Sequence, residues 1–149
     1  MFENKKVLLV CSPYYKDITE NLIKGASEVF KENLVKFKII YVPGALEIAP
    51  AIKYFSERTS ANHMFDGFVA LGCIIRGKTY HFEIVSNESA RGLSELSITY
   101  SLPIGNGILT VESKDQAIER SDPFKLNKGG GAALACLSLI KHKNIILYD

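Results

Sequence analysis

The stretch Gly-Cys-Ile-Ile-Arg-Gly-Lys-Thr-Tyr-His-Phe-Glu occupies residues 72–83 and decides how this chain can fold. A short aliphatic run at residues 67–71 precedes it, and from Phe82 to Tyr100 apolar positions step by threes and fours, with Ser89 filling the one gap. This pattern predicts a strand, a glycine-containing turn and a long helix. The helix begins beside His81, so its amino end should point at the glycine turn.

Working outward from this stretch, similar short runs of β-branched or aliphatic residues recur at residues 6–11, 37–42 and 104–111. Each run is followed by a segment that could be helical. Strands that alternate with helices are typical of a parallel sheet covered by helices on its faces. We therefore predict an α/β fold with a four-stranded parallel sheet, formed as a single domain over residues 1–149.

Local signals place the helices between these strands. Asp17 and Glu20 have capping-box spacing, so the first helix should begin there with Asp17 accepting from the backbone. Proline is tolerated in a first helical turn, which predicts that the second helix begins near Pro50. A final helix is expected over residues 130–141, where its glycine-rich start favours close approach of a backbone or ligand.

The composition argues against several classes of partner. The 149 residues carry 18 basic and 16 acidic side chains, interspersed, for a formal net charge of +2. We expect no nucleic-acid or membrane partner, because no basic stripe or cationic face is visible. The three cysteines stand apart in apolar surroundings, which indicates buried thiols and a cytoplasmic location. The first apolar run is too short for a signal peptide or a membrane span.

Ligands of open parallel sheets bind beyond the carboxyl ends of the strands. Three such ends can be located in the sequence: residues 12–15 with two tyrosines, residues 44–47 with a carboxylate, and residues 72–81 with a glycine turn and an imidazole. These three segments are distant in sequence but should meet at one edge of the sheet. Their convergence predicts a ligand site with an aromatic platform and an anion-binding turn.

Residues 72–79 also match the G-x-x-x-x-G-K-[ST] pattern of a nucleotide phosphate loop. The terminal residues 145–149 loosely resemble a strand that ends in a magnesium-holding aspartate. However, the β-branched Ile74 and Ile75 disfavour the positive-φ turns that such a loop uses. A nucleotide hydrolase or kinase is therefore the weaker hypothesis.

His81 is the candidate for proton transfer, because histidine exchanges protons near neutral pH. The alternative is a surface or helix-capping histidine. His63 and His142 stand in polar surroundings, and we expect both to be solvated. No second histidine or cysteine has ligand spacing around His81, so a metal site is not expected.

Other candidates have alternatives of their own. Glu47 could cap its helix instead of binding a ligand, and Tyr14 could be a core aromatic. Arg120 and Lys128 could be ordinary exposed charges. They nevertheless flank residues 121–123, Ser-Asp-Pro, which should interrupt the regular secondary structure, and they lie close to the glycine run. Cationic donors near a phosphate form strong hydrogen bonds, which favours a binding role for both.

Five motifs occur in collinear order over nearly the whole chain: Val-Pro-Gly-Ala-Leu-Glu (42–47), the 72–83 stretch, Gly-Ile-Leu-Thr-Val-Glu (107–112), Gln-Ala-Ile-Glu-Arg (116–120) and Asn-Lys-Gly-Gly (127–130). With this set the sequence resembles the 6,7-dimethyl-8-ribityllumazine synthase family. The resemblance implies a flavodoxin-like three-layer sandwich. It also implies the penultimate step of riboflavin synthesis, in which 5-amino-6-(D-ribitylamino)uracil condenses with 3,4-dihydroxy-2-butanone 4-phosphate. The alternatives are a non-catalytic flavin- or lumazine-binding relative and an archaeal-type riboflavin synthase.

By this resemblance His81 is the proton-transfer residue. The residues expected to hold the pyrimidine and ribityl chain are Tyr14, Ala45, Leu46, Glu47, Cys73, Ile74 and Ile75. The residues expected to bind phosphate are Lys78, Thr79 and Arg120. No metal or organic cofactor is implied.

The family forms homopentamers with sites at subunit interfaces, and a neighbour would supply the segment around Asn106 together with Arg120 and Lys128. Many members carry an aromatic residue where Asn106 stands, so its amide would grip the pyrimidine by hydrogen bonding.

Overall fold

The computed structural model describes residues 1–58 and 64–147 of the chain. Its strands form a parallel sheet in the order β2-β1-β3-β4. The strands are β1 (Lys6–Cys11), β2 (Lys36–Tyr41), β3 (Gly67–Ile75) and β4 (Ile104–Val111). The helices are α1 (Lys16–Glu32), α2 (Ile48–Ser56), α3 (His81–Thr99), α4 (Lys114–Ser121) and α5 (Lys128–Asn144), and a short 3₁₀ turn at Ala45–Glu47 precedes α2.

Helices cover both faces of the sheet. On one face the core joins α1, α4 and α5 to alternate residues of the strands, such as Leu9 and Val69. On the other face α2 and α3 pack against the intervening residues, such as Leu8 and Phe68. The predicted three-layer α/β sandwich with four parallel strands is confirmed. A strand buried on both faces reads as a continuous apolar run, as β1 and β3 do. β2 has no fully buried residue, and β4 exposes Asn106 and Thr110.

The predicted bounds of β1 and β4 are confirmed, and β2 begins one residue earlier than expected. The third strand is four residues longer than the predicted 67–71, because it continues through Cys73 and Ile74 to Ile75. Its last residues pair in register with β4, as Ile74 does with Thr110. The isoleucines therefore extend the strand, as β-branched side chains favour. Part of the expected glycine turn is sheet.

Helix α1 buries one apolar face that includes Ile18, Leu22 and Phe30, but the capping-box prediction was wrong. The helix begins at Lys16, and Tyr15 precedes it as a cap residue whose side chain makes no capping hydrogen bond. The Asp17 carboxylate instead accepts a hydrogen bond from Lys114 Nζ at 2.9 Å. Glu20 lies 3.9 Å from Lys16 Nζ. The long-range partner on α4 could not be read from spacing within α1.

The other predicted helices are present with shifted ends. Pro50 lies in the first turn of α2, as expected. Helix α5 begins at Lys128, two residues before the predicted start, and it is preceded by Asn127 at φ 46°. The Asn127 side chain accepts a hydrogen bond from Gly130 N at 3.1 Å. This cap fixes the start of α5.

Helix α5 lies unusually close to its neighbours. A Cβ atom at Gly129 would be 2.1 Å from the Leu22 carbonyl oxygen of α1, and one at Gly105 of β4 would be 1.9 Å from the Ala132 carbonyl oxygen. Both distances are far below van der Waals contact, so the helix rests on backbone at these points. A larger residue at Gly129 would push α5 away from α1, and one at Gly105 would push it away from the sheet.

In the described part of the chain, no helix is both long enough and apolar enough to cross a membrane. Residues 145–147, which were compared with a magnesium-binding strand, follow α5 as irregular chain. Asp149, the candidate magnesium ligand, and His63 lie outside the described residues.

Candidate active site

A pocket of about 310 Å³ opens at the carboxyl ends of β1, β2 and β3. Its lining combines apolar walls with a few polar groups, as small-molecule sites do. The lining residues are Ser12, Tyr14, Tyr15, Gly44, Ala45, Leu46, Glu47, Cys73, Ile74, Ile75, Gly77, Thr79, His81, Phe82 and Val85. The three strand ends expected to converge do so.

Ser12 joins these strand ends. Its amide donates to the Leu71 carbonyl at 2.9 Å, and its hydroxyl donates to the Pro43 carbonyl at 3.3 Å. Its own carbonyl accepts from the Thr19 hydroxyl at 2.7 Å. This buried residue therefore ties β1 to β3, to the turn after β2 and to the start of α1, which sets the width of the pocket.

Two tyrosines form the aromatic wall that follows β1. Tyr14 is 74% exposed at the pocket mouth, so the alternative of a core aromatic does not hold. Its ring meets Tyr15 edge to face, with centroids 5.1 Å apart. The Lys114 ammonium lies 5.5 Å from the Tyr15 ring centroid and pairs with Asp17. Burial raises the pKa of Tyr15, so its hydroxyl stays protonated at neutral pH.

The turn after β2 presents the next wall. Ala45 is buried, whereas Leu46 and Glu47 are exposed along the pocket. Glu47 precedes α2, yet its side chain makes no capping hydrogen bond. The carboxylate instead folds back beside Gly44, where a Cβ atom would be 3.3 Å from Glu47 Oε1. Glu47 is therefore available to a ligand.

The last wall comes from the end of β3 and the start of α3. Among the described residues from 72 to 81 none has a positive φ, so the backbone lacks the turn geometry of a nucleotide phosphate loop. His81 is the first residue of α3, and its amide donates weakly to Thr79 Oγ1 at 3.4 Å. The amino end of a long helix favours a bound anion. The imidazole and the hydroxyl thus stand where a phosphate would be attracted.

Arg76, between the lining residues Ile75 and Gly77, is bound to protein groups. Its Nε donates to Glu112 Oε2 at 2.7 Å, and its Nη1 donates to Glu83. The guanidinium also lies over Phe82, 4.3 Å from the ring centroid. Hydrogen bonding to Arg76 holds the pKa of Glu83 below its usual range.

The sequence-predicted residues that the pocket brings together are Tyr14, Ala45, Leu46, Glu47, Cys73, Ile74, Ile75, Thr79 and His81. Lys78 lies beside the lining on the exposed turn. The remaining candidates lie elsewhere. Asn106 is exposed on the edge strand β4, Arg120 Nη1 donates to the Gln116 carbonyl at 3.3 Å within α4, and Lys128 is exposed at the start of α5.

Within the described chain no lysine or arginine lines the pocket. A phosphate dianion bound here would therefore meet an imidazole, a hydroxyl and a helix terminus among the lining groups of this chain, with Lys78 on the adjacent exposed turn. A cation placed by another subunit would complete such a site.

The predicted strand-end segments 12–15, 44–47 and 72–81 contain the lining residues Ser12, Tyr15, Gly44 and Gly77, although none of these four was assigned a role, and Phe82 and Val85 lie outside the segments. Tyr15 is adjacent to Tyr14 in the predicted segment 12–15, but the sequence predicts no separate role for it. Val85 could have been found from the helical repeat, because it lies four residues after His81 on the same helix face. The Ser12 hydrogen bonds depend on strand order, which no local pattern specifies.

Burial raises the pKa of the Cys73 thiol to about 11 and those of Cys11 and Cys136 to about 12. The thiol of Cys73, which lines the pocket, is therefore protonated at neutral pH and acts as an apolar wall. Across residues 1–58 and 64–147 no group of three or more His, Cys, Asp or Glu side chains is placed to hold a metal ion.

The chain was compared with known proteins. The model of a family described as 6,7-dimethyl-8-ribityllumazine synthase matches residues 4–144. The synthase of that name from Beijerinckia indica subsp. indica is 48% identical over 138 residues, which cover 93% of this chain and 75% of the relative. The one from Methylorubrum populi is 48% identical, with 93% and 82% covered. The one from Bartonella tribocorum is 48% identical, with 96% and 93% covered.

Proposed function

The chain belongs to the 6,7-dimethyl-8-ribityllumazine synthase family, and from that premise we propose its substrates, the roles of its residues and its assembly. It is an enzyme, a transferase of riboflavin biosynthesis. The proposed substrates are 5-amino-6-(D-ribitylamino)uracil and 3,4-dihydroxy-2-butanone 4-phosphate, and the products are 6,7-dimethyl-8-ribityllumazine, phosphate and water.

The pyrimidine and its ribityl chain lie between the strand ends. Tyr14 stacks on the ring, since its exposed face at the pocket mouth suits a planar ligand. The two segments 45–47 and 73–75 hold the polar edge and the ribityl hydroxyls. Glu47, exposed in the pocket and without a capping bond, accepts from ribityl hydroxyl groups.

The butanone phosphate lies against the start of α3. Thr79 and Lys78 donate to its phosphate, and the helix terminus adds a favourable partial charge. His81 then stands beside the atoms that lose and gain protons. The observation that carries this proposal is the placement of His81 and Thr79 at the amino end of α3 within one pocket shared with residues 45–47 and 73–75.

The reaction needs alignment and proton movement. The aromatic amine of the pyrimidine attacks the ketone and water leaves to give an imine. Phosphate then departs by elimination, and attack of the ribityl-substituted nitrogen closes the ring with loss of a second water. His81 takes and returns protons in these steps. Holding two substrates in one orientation can supply up to about 7 to 11 kcal/mol of the reduction in barrier.

A direct assay tests the proposal. The protein is mixed with both substrates, and lumazine fluorescence and released phosphate are followed together. Equal rates of the two signals are expected. Saturable flavin binding without product would favour a binding protein, and ATP-dependent phosphate release would return the nucleotide hypothesis.

Replacing His81 tests how much of the rate enhancement comes from proton transfer and how much from the alignment of the two substrates. Because alignment remains, His81→Ala should slow turnover by only about ten- to a thousandfold, near the usual range for acid–base groups. Steady-state rates are compared with those of His142→Ala, which alters an exposed histidine near the end of α5. Complete loss of activity in a folded His81→Ala protein would contradict the proposal.

We further propose that five subunits assemble with each site at an interface. The support is that the pocket of one chain has no lysine or arginine in its described lining, while Asn106, Arg120 and Lys128 stand away from it. A ring of heterologous contacts would bring these residues to a neighbour's pocket. Sedimentation of active enzyme should give a pentamer or a multiple of one. An active monomer would refute this.

A cytoplasmic location is also proposed. Its support is that Cys11, Cys73 and Cys136 are buried free thiols, which suit a reducing compartment.

A further inference from the structure

We propose that Arg76 is a positioning residue for His81. Its guanidinium ties the first turn of α3 to the turn that follows β4, by way of Glu83 and Glu112. The inference deepens the proposed function and rests on His81 being the proton-transfer residue there. Arg76 itself lies outside the pocket lining, so it acts through the backbone that carries the imidazole.

Three contacts form this link. Arg76 Nε donates to Glu112 Oε2 at 2.7 Å, and Arg76 Nη1 donates to Glu83 Oε1. The face of the guanidinium covers Phe82, with 4.3 Å to the ring centroid. An arginine fork can bond two acceptors and stack at once, which a lysine cannot. We call Arg76, Phe82, Glu83 and Glu112 the arginine clamp.

The clamp lies where α3 needs support. The residue before the helix, Tyr80, makes no side-chain capping hydrogen bond, and helix ends without caps fray. At the helix start the His81 amide donates to Thr79 Oγ1 at a long 3.4 Å, and the amides of Glu83 and Ile84 share the Tyr80 carbonyl at 3.2 and 3.4 Å. Phe82 and Glu83 follow His81 directly, so fixing them fixes the first helical turn. Phe82 also lines the pocket, and its position sets the wall beside the imidazole.

Arg76 could instead serve as a cation that attracts the phosphate. The clamp argues against this role, because the single guanidinium of Arg76 is already paired with two carboxylates, those of Glu83 and Glu112. Glu83 Oε2 is moreover buried, without a hydrogen-bond partner among the described residues. Removing Arg76 would leave this carboxylate uncompensated near the start of α3.

The two roles predict different effects for substitution of Glu112, which belongs to the clamp but not to the pocket lining. If Arg76 attracts phosphate, Glu112→Gln removes a competing negative charge and should lower KM for the butanone phosphate. If Arg76 positions His81, Glu112→Gln loosens the clamp and should lower kcat. The substitution changes one exposed side chain and preserves its shape, so the protein should fold.

The experiment measures steady-state kinetics of Glu112→Gln, Arg76→Gln and the double variant. Because small misplacements of a reacting group are costly, we expect kcat to fall about threefold for Glu112→Gln and about tenfold for Arg76→Gln, with KM for the phosphate substrate changed less than about twofold. The double variant should match Arg76→Gln within about twofold, since both break one link. Arg76→Lys should recover only part of kcat.

Arg91→Gln is the matched control. Arg91 lies on α3 and, like Arg76, bonds two carboxylates, those of Glu88 and Glu95. It is located beyond the first turns of α3. Its kcat and KM should equal those of the parent protein. An equal fall of kcat in Arg91→Gln would show a general effect of helix stability and overturn the proposal, as would a lowered KM in Glu112→Gln.

Hydrogen exchange by mass spectrometry gives a readout that needs no activity. Arg76→Gln should speed exchange in residues 77–86 and leave residues 87–99 unchanged, whereas Arg91→Gln should do the reverse. Unchanged exchange at residues 77–86 in Arg76→Gln overturns the clamp even if the enzyme is active. A parent protein that makes no lumazine overturns the proposed function, while the exchange result still decides whether the clamp exists.

Discussion

The pocket at the ends of β1, β2 and β3 differs in chemistry from the region formed by β4, α4 and α5. The pocket offers aromatic rings, a hydroxyl, a carboxylate and an imidazole. The second region carries Arg120 and Lys128, together with the exposed amide of Asn106. Both regions were predicted to serve one ligand, yet one chain does not bring them together.

This difference indicates which part of the proposed site each region would supply. Parallel strand ends can gather the groups that orient the pyrimidine and move protons, because β1, β2 and β3 are adjacent and end at the same edge. In the proposed assembly, the cations on α4 and α5 complete a phosphate site where another subunit lies against the pocket. The following experiments test this division, from the largest expected effect to the smallest.

Arg120→Ala should cause the largest loss. If Arg120 binds the phosphate of a neighbour's substrate, removal of its charged hydrogen bonds should lower kcat/KM for butanone phosphate by about 10²- to 10³-fold. Steady-state kinetics at saturating pyrimidine measure the loss. Lys141→Ala, which removes an exposed cation from the last turn of α5, should leave kcat/KM unchanged.

Mixing Arg120→Ala with His81→Ala subunits shows whether these residues act across an interface. Neither variant alone should approach parental activity, but co-assembled subunits should regain about one quarter of it, the fraction of sites that pair an intact imidazole with an intact neighbouring guanidinium. If mixing restores no activity in co-assembled rings, the two regions serve the same site from one chain or not at all.

The alkylation rate of Cys73 tests how well the pocket shields its lining from solvent. Its pKa is raised to about 11, so at pH 8 its thiolate fraction and alkylation rate should be about 10²-fold below those of a free thiol. The rate should keep rising with pH through pH 10, because the reactive thiolate forms only as pH approaches the raised pKa. A pyrimidine ligand should slow the alkylation of Cys73 and not that of Cys136. Peptide mass spectrometry after iodoacetamide treatment measures both, and an ordinary rate at pH 8 would mean that the pocket is more open than described.

Asn106→Ala should have the smallest effect. Loss of a neutral hydrogen bond to the pyrimidine costs about 1 kcal/mol, so KM for the pyrimidine should rise about fivefold with little change in kcat. Thr110→Ala is the control, since Thr110 is the other exposed residue on the same face of β4. Equal changes in both variants would point to the strand edge and not to the amide.

The fold was predictable where burial dictates residue type. The runs that became β1 and β4 have the bounds that the sequence indicates. β1 is covered on both faces and is therefore apolar after Lys6, whereas β4 at the sheet edge is buried at most positions but exposes Asn106 and Thr110. The same rule, applied to Cys73, Ile74 and Ile75, would have extended β3. The sequence predicts a turn at these residues instead, because they lie within the glycine pattern of a phosphate loop. The helix cap expected at Asp17 failed because Lys114, distant in sequence, competes for its carboxylate.

The pocket was predictable to the extent that it follows strands. Tyr14, Glu47 and His81 each lie just beyond a strand end, and the structure brings them to one pocket. The arginine clamp was not foreseen, because Glu112 lies 36 residues after Arg76 in the chain and approaches only through the pairing of β3 with β4. In the proposed assembly, the positions of Arg120 and Lys128 relative to a phosphate depend on contacts between subunits, which the order of elements in one chain does not specify.

The backbone contacts of α5 at Gly105 and Gly129 bear on how Lys128 can act. At these two points backbone meets backbone, with no side chain between them that could adjust if the start of α5 tilted or slid. The ammonium group of Lys128 therefore extends from a rigid base, and only its own side-chain torsions remain to be ordered when it meets an anion. Most of the entropic cost of placing that charge is met when the chain folds, before any ligand arrives.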